Sequence, residues 1–166
     1  KGKDTLSTKL TINNNPDVNH SAADRQLRRE SLLKAYNLLE ELAYVDYQAI
    51  EIRKQTLALA DSVKNKGLRA NSFKYADKMA AMHEKISATQ PGEGGVAGQI
   101  RLREKIAEVY SAIGSYEGKP TDLQLAALSV YVDAVKAMQS ELDILIKGDL
   151  ANYNAGIVRA GLQPVK

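Results

Sequence analysis

The chain has 166 residues, which is enough for one domain with a sizeable core. Hydrophobic residues make up 44% and charged residues 26%, a balance that excludes an intrinsically disordered chain. The 23 basic and 20 acidic residues are interspersed and leave a net charge of +3, so no nucleic-acid-binding stripe is expected, and the lack of Cys excludes disulfides, Cys zinc sites and thiol nucleophiles.

Aromatic residues are only 5%, with Phe73 the single Phe and no Trp, so Leu, Ala, Ile and Val must build the core. No apolar run approaches the ~20 residues that span a bilayer. The chain begins at Lys1 without Met and lacks a signal-peptide pattern, so a piece of a longer protein is expected.

Residues 5–12, "TLSTKLTI", alternate: Leu6, Thr8, Leu10 and Ile12 fall on one face and Thr5, Ser7, Lys9 and Thr11 on the other. That is the period of a half-buried strand. Nothing else in the chain reads as β. The expectation is therefore a leftover last strand of an upstream β-domain, followed by a turn at "NNNPD" (13–17), with residues 1–18 belonging to that domain and 19–166 to a helical bundle.

Ser21 is placed to cap a helix, with Asp24 at its third position. From there no Gly or Pro occurs until Gly67. Ala35, Leu38, Leu42, Val45, Ala49, Ile52, Thr56, Leu59 and Val63 recur in steps of three and four, and Leu39, Ala43, Ile50, Leu57 and Ala60 widen the face. The spacing predicts one helix over 22–64, about 63 Å long. "KNKG" should close it, with Gly67 turning left-handed. A second helix is expected from Asn71 or Ser72 to Ala88, with Phe73, Ala76, Met79, Ala80, His83 and Ile86 inward. "TQPGEGGVAG" (89–98) reads as a Gly-rich loop. A third helix carries Leu102, Ile106, Val109 and Ile113 and ends before "EGKPT".

Pro120, Thr121 and Gln124 form the clearest start signal, a capping box behind a helix-stopping proline. The fourth seam is Leu128, Tyr131, Val135, Met138, Leu142 and Leu145. Gly148 should then relax the helix and Asp149 recap a short one through Ala160, ended by Gly161 and Pro164.

These elements predict an all-α fold: an antiparallel up-down-up-down four-helix bundle with a very long first helix, a short C-terminal helix and the N-terminal strand. The middle helices are too short to cover the first and would leave its base, residues 22–36, bare. The short C-terminal helix that follows Gly148 is expected to fold over it, and the end that stays thin should be completed by the adjoining β-domain or offer a surface to a protein partner.

Chemistry has little to work with. Glu-x-x-His stacks two metal ligands on an inward helix face, yet position 80, three before His83, is Ala, and Asp17 and His20 share that spacing only in a turn. His83 reads as a satisfied bundle histidine. No Ser–His–carboxylate set is legible. The "GEGG" loop lacks the Lys-Ser/Thr of a phosphate-cradling loop. Glu40, Glu41 and Asp61 do not converge as a carboxylate pair would. Arg25, Arg28 and Arg29 in "RQLRR" are flanked by Asp24 and Glu30 and read as a solvated face. Tyr36, Tyr44, Tyr47, Tyr75, Tyr110, Tyr116, Tyr131 and Tyr153 are scattered over all helices, as at bundle edges. "KGDLANYN" (147–154) gathers Lys147, Asp149, Asn152, Tyr153 and Asn154, which we read as a helix being finished and redirected, with Asn152 and Asn154 exposed or bonded to local backbone. No catalytic, cofactor-binding or metal-binding residue is assigned.

A β-strand running into "NPDVNHSAAD", a long helix with "AIEIRKQ", then "KPTDLQ" and "LDILIKGDLANYNAGIVRAGLQPV" together resemble the C-terminal region of large bacterial BNR-repeat proteins. These are described as glycosyl hydrolases or as relatives of the sortilin propeller. The resemblance implies a non-catalytic helical module beside an upstream β-domain and propeller of the same exported parent. It also implies a periplasmic or outer-membrane-associated location. No active-site residue is carried over, because any hydrolytic surface would belong to the propeller. A carbohydrate- or peptide-binding accessory module is the alternative, and an independent enzyme a more distant one.

Overall fold

The computed structural model describes residues 5–13, 20–87 and 100–166. The chain is all-α among these residues. Four principal helices are α1 (Ala22–Ser62), α2 (Lys66–Ile86), α3 (Leu102–Gly114) and α4 (Asp122–Ile144). A π-helical segment, Leu145–Leu150, joins α4 without a break to a short α5 (Ala151–Arg159).

The expected caps form. Ser21 Oγ accepts from the Asp24 amide at 3.0 Å while the Asp24 carboxylate accepts from the Ser21 amide at 3.2 Å. Thr121 and Gln124 make the same reciprocal pair at the start of α4, at 3.2 and 2.9 Å. Each box satisfies N–H groups that a helix start would otherwise leave unpaired.

The α1 seam is buried as its spacing predicts, with Ala35, Leu42 and Ala49 at 0% exposure, while Ala43 and Ile50 are exposed. Its end differs from expectation. α1 stops at Ser62, and Asn65 caps α2 by accepting from the Gly67 and Leu68 amides, so Gly67 lies in the first turn of α2. A side-chain cap two residues ahead of a glycine outcompetes a glycine C-cap here. α2 therefore starts six residues before Ser72, and its inward face is Ser72, Tyr75, Ala76, Met79, Met82 and Ile86. Phe73, expected inside, is 40% exposed with the Arg69 guanidinium 5.7 Å from its ring centre.

The packing order also corrects the up-down-up-down expectation. α2 runs back down α1 until His83 meets Asp46. α3 continues downward along the same side of α1, ending where Arg28 of α1 donates to the Ile113 and Gly114 carbonyls at 3.1 and 2.8 Å. α4 then climbs parallel to α1. Its Gln139 donates to Glu41, its Leu142 and Asp143 lie beside Tyr44 and Gln48, and Leu150 reaches Ile52 and Gln55. The four helices thus form a bundle three rods wide: α1, the tandem of α2 and α3, and the continuous rod of α4, the π segment and α5. The reason is length. α2 and α3, at 21 and 13 residues, span ~50 Å end to end against ~60 Å for the 41 residues of α1. Laid in tandem they cover α1; laid side by side they would leave half of it bare. The base itself is covered only in its upper part, where Ser31 and Ala35 are buried and Leu32 packs on the core, while no residue from 22 to 30 is buried. Contrary to expectation, the C-terminal helix does not fold back over it, because α5 continues the α4 rod and packs through Tyr153 on Tyr75 of α2 near the opposite end of α1. Leu33 and Tyr36 remain exposed on its outer face.

Residues 5–13 form no strand in this chain: they are exposed, with Leu6 at 97%, Leu10 at 82% and Ile12 at 87%. A strand needs a ladder partner, and the described residues offer none. The Gly-rich loop and most of the "NNNPD" turn, including Asp17, lie outside the described residues.

Candidate functional site

The clearest convergence of polar and aromatic side chains is a groove of about 380 Å³ where α2 meets the π segment and α5. It is lined by Asn71, Lys74, Tyr75 and Lys78 from α2 and by Asp149, Asn152 and Tyr153 opposite, over Leu68 and Gly156.

The π segment makes this groove. Along α4 the buried positions Leu128, Val135 and Leu142 step by seven, and beyond it the inward residues are Leu150 and Ile157. The step from Leu142 to Leu150 is eight. A plain α-helix would have carried Asp149 and Gly156 inward; the wider π turn absorbs one residue and keeps Leu150 and Ile157 facing the core. Asp149 is thereby turned out to pair with Lys78 of α2. The expected recapping at Asp149 does not occur, because the helix never stops: Ile144, Leu145, Leu150 and Ala151 all keep right-handed helical angles.

Tyr75 and Tyr153 stack, with ring centres 5.5 Å apart and planes 7° from parallel. The Tyr75 hydroxyl donates to the Leu145 carbonyl at 3.3 Å. Ser72 Oγ donates to the Leu68 carbonyl at 2.9 Å, and it lies 2.8 Å from the Tyr153 hydroxyl. A serine hydroxyl has one proton, so Tyr153 donates to Ser72 and keeps its own lone pairs as acceptors. Burial pushes the Tyr75 phenol up to about 12, and the Asp149 carboxylate adds to the shift. A phenol held that firmly is no base at neutral pH. The groove offers ammonium and amide donors beside carboxylate and phenol acceptors, so it can meet a polar group of either hydrogen-bonding kind. Grooves of 370 to 410 Å³ also run along the α1–α4 junction, so this one is not distinguished by size.

The other candidates are dispersed. His83 Nδ1 lies 2.6 Å from Asp46 Oδ1, so the ring is satisfied as expected. Ser87, one turn on, is buried, but its hydroxyl makes no hydrogen bond among the described residues, so no nucleophile is coupled to His83. His20 packs edge-on against Tyr116 at 5.6 Å. Arg25 donates to the His20 carbonyl and Arg28 ties down the end of α3, which leaves "RQLRR" no basic stripe. Glu41 is engaged by Gln139, well away from Asp61 near the far end of α1. No group of three metal-ligating side chains occurs among the described residues, nor is any helix there long and apolar enough to cross a membrane.

Of "KGDLANYN", Asp149, Asn152 and Tyr153 enter the groove, Lys147 pairs with Asp143 in solvent at 2.6 Å, and Asn154 faces away. Asn154 does bond to backbone as expected, but to Val165, eleven residues on, rather than locally. Sequence reasoning missed Asn71, Lys74 and the Tyr75–Tyr153 pair. The one legible signal was the eight-residue step in the fourth seam. Comparison with known protein families, with curated proteins and with solved structures finds no match for this chain.

Proposed function

We propose that this chain is a non-catalytic helical module of a larger exported protein, a rigid spacer that docks on a neighbouring β-domain of the same parent. The observation that carries the reading is the N-terminal segment. Leu6, Leu10 and Ile12 alternate with polar residues and stand 82–97% exposed, a pattern that gains its burial by adding a strand to another sheet. The dispersal of titratable groups into satisfied pairs supports a module without a reaction of its own. The propeller parent and the periplasmic or outer-membrane location rest on the sequence resemblance. Hydrogen exchange tests the docking: amides of residues 6–12 should be protected in the parent protein and unprotected in the 166-residue chain. Equal exchange in both would sink it.

A second reading, an accessory module that binds carbohydrate, is favoured by the mixed donors and acceptors of the α2–π-segment groove. Calorimetry with a panel of oligosaccharides separates the two. Saturable heat abolished by Lys74→Ala would favour the second, and a flat response the first.

A further inference from the structure

Two stripes of side chains face each other across the groove between α2 and the π segment. Asn71, Lys74 and Lys78 step by three and four along α2, and Asp149, Asn152 and Gly156 step in the same way along the rod opposite. Asn154, which holds Val165, is on the other side of that rod, so the groove opens away from the C-terminal tail.

Charge and hydrogen bonding narrow what can bind there. Lys78 and Asp149 pair with each other and cancel. Lys74 has no ion-pair partner among the described residues, so the two lysines set against one aspartate leave a single positive charge in excess. The Asn71 and Asn152 side chains make no hydrogen bond among the described residues either. These two amides and one ammonium are therefore the groups a ligand can engage without breaking a bond within the protein. Each amide presents a donor and an acceptor, the complement of a hydroxyl, and the Tyr153 oxygen, whose proton goes to Ser72, accepts. The floor is apolar: Gly156 leaves Leu68 showing, and a Cβ added there would stand 3.5 Å from Leu68 Cδ2.

One compact ammonium is matched by one negative charge, that of a carboxylate, whereas a doubly charged phosphate is better met by the fork of an arginine. From Asn71 to Lys78 the helix rises ~10 Å, and about 380 Å³ is at the small end of ligand pockets. A small ligand with one carboxylate, neighbouring hydroxyls and a C–H face is a sugar acid. We propose that the groove binds uronate units of an acidic polysaccharide, with the carboxylate on Lys74, hydroxyls on Asn71 and Asn152, and a C–H face over Leu68 and Gly156. This rests on the carbohydrate-binding reading given second above and narrows it to anionic sugars.

Calorimetry with trigalacturonate and trimannuronate, each beside its methyl ester, is the test. The ester keeps the rings and hydroxyls and removes only the charge. At least one acid should bind saturably, about tenfold or more tighter than its ester, and more weakly as salt is raised. Lys74→Gln should lower affinity for the acid about tenfold and leave the ester unchanged, a coupling that a lysine with a merely structural role would not show. Asn152→Ala should weaken acid and ester alike. An ester that binds as tightly as its acid overturns the anionic assignment and leaves the carbohydrate reading standing. No heat from acids, esters or neutral oligosaccharides overturns both. Acid binding that survives Lys74→Gln puts the ligand elsewhere and overturns the proposal too. Lys74 is exposed, so the variant should fold; were it to unfold, the comparison of acid with ester on the unchanged chain decides alone.

Discussion

Tyr75 combines the two demands on a buried polar side chain. Its ring stacks on Tyr153, while its hydroxyl reaches the Leu145 carbonyl. An unfolded tyrosine titrates near 10, whereas burial lifts this one to about 12. The folded state thus keeps a proton that the unfolded state loses. The resulting stabilisation is fully present below pH ~10 and lost as pH rises toward 12, on the order of 2 kcal/mol. Tyr75→Phe removes the titrating group, so urea unfolding across that window should show a steeper loss for the wild type than for Y75F. Parallel curves would refute the assignment. At Asp46 the expectation is simpler: Asp46→Ala leaves the part-buried His83 ring without its 2.6 Å partner and should cost about 1–2 kcal/mol by urea denaturation at neutral pH.

At the scale of an element, the continuity of α4, the π segment and α5 is the decisive feature. The seam steps from Leu142 to Leu150 by eight residues where seven would keep an α register. Deleting Gly148, whose added Cβ would meet nothing within 4 Å, removes the surplus residue and should give an uninterrupted α-helix that still buries Ile157. Thermal unfolding should shift by no more than a few degrees. Inserting one Ala after Gly148 instead turns α5 by ~100° and swings Ile157 out of the core, a loss on the order of 2–4 kcal/mol. If the two changes destabilise equally, the register account fails. The seam was legible as far as Leu145. Its slip was not recognised because Gly148 and Asp149 also read as a stop and a fresh cap, and local signals cannot tell a widened turn from a break.

For the whole molecule, the load falls on the seam of α1. Leu42 is fully buried among α1, the tandem rod and α4, so Leu42→Ala should cost about 3 kcal/mol. Ile144, 71% exposed on α4, should change stability by less than about 0.5 kcal/mol when replaced by Ala. Chemical denaturation of the two variants measures the contrast.

Helix content, the great length of α1, the capping boxes at Ser21 and Thr121 and the core faces of α1 and α4 were determined by sequence alone, because each depends on residues within a turn or two of one another. The tertiary structure decided how many rods lie abreast, which face of α2 is inward, the partnership of Tyr75 with Tyr153 and the grip of Asn154 on Val165. Those outcomes turn on which surfaces meet once helices of unequal length cover one another, and short-range periodicity carries no information about that meeting.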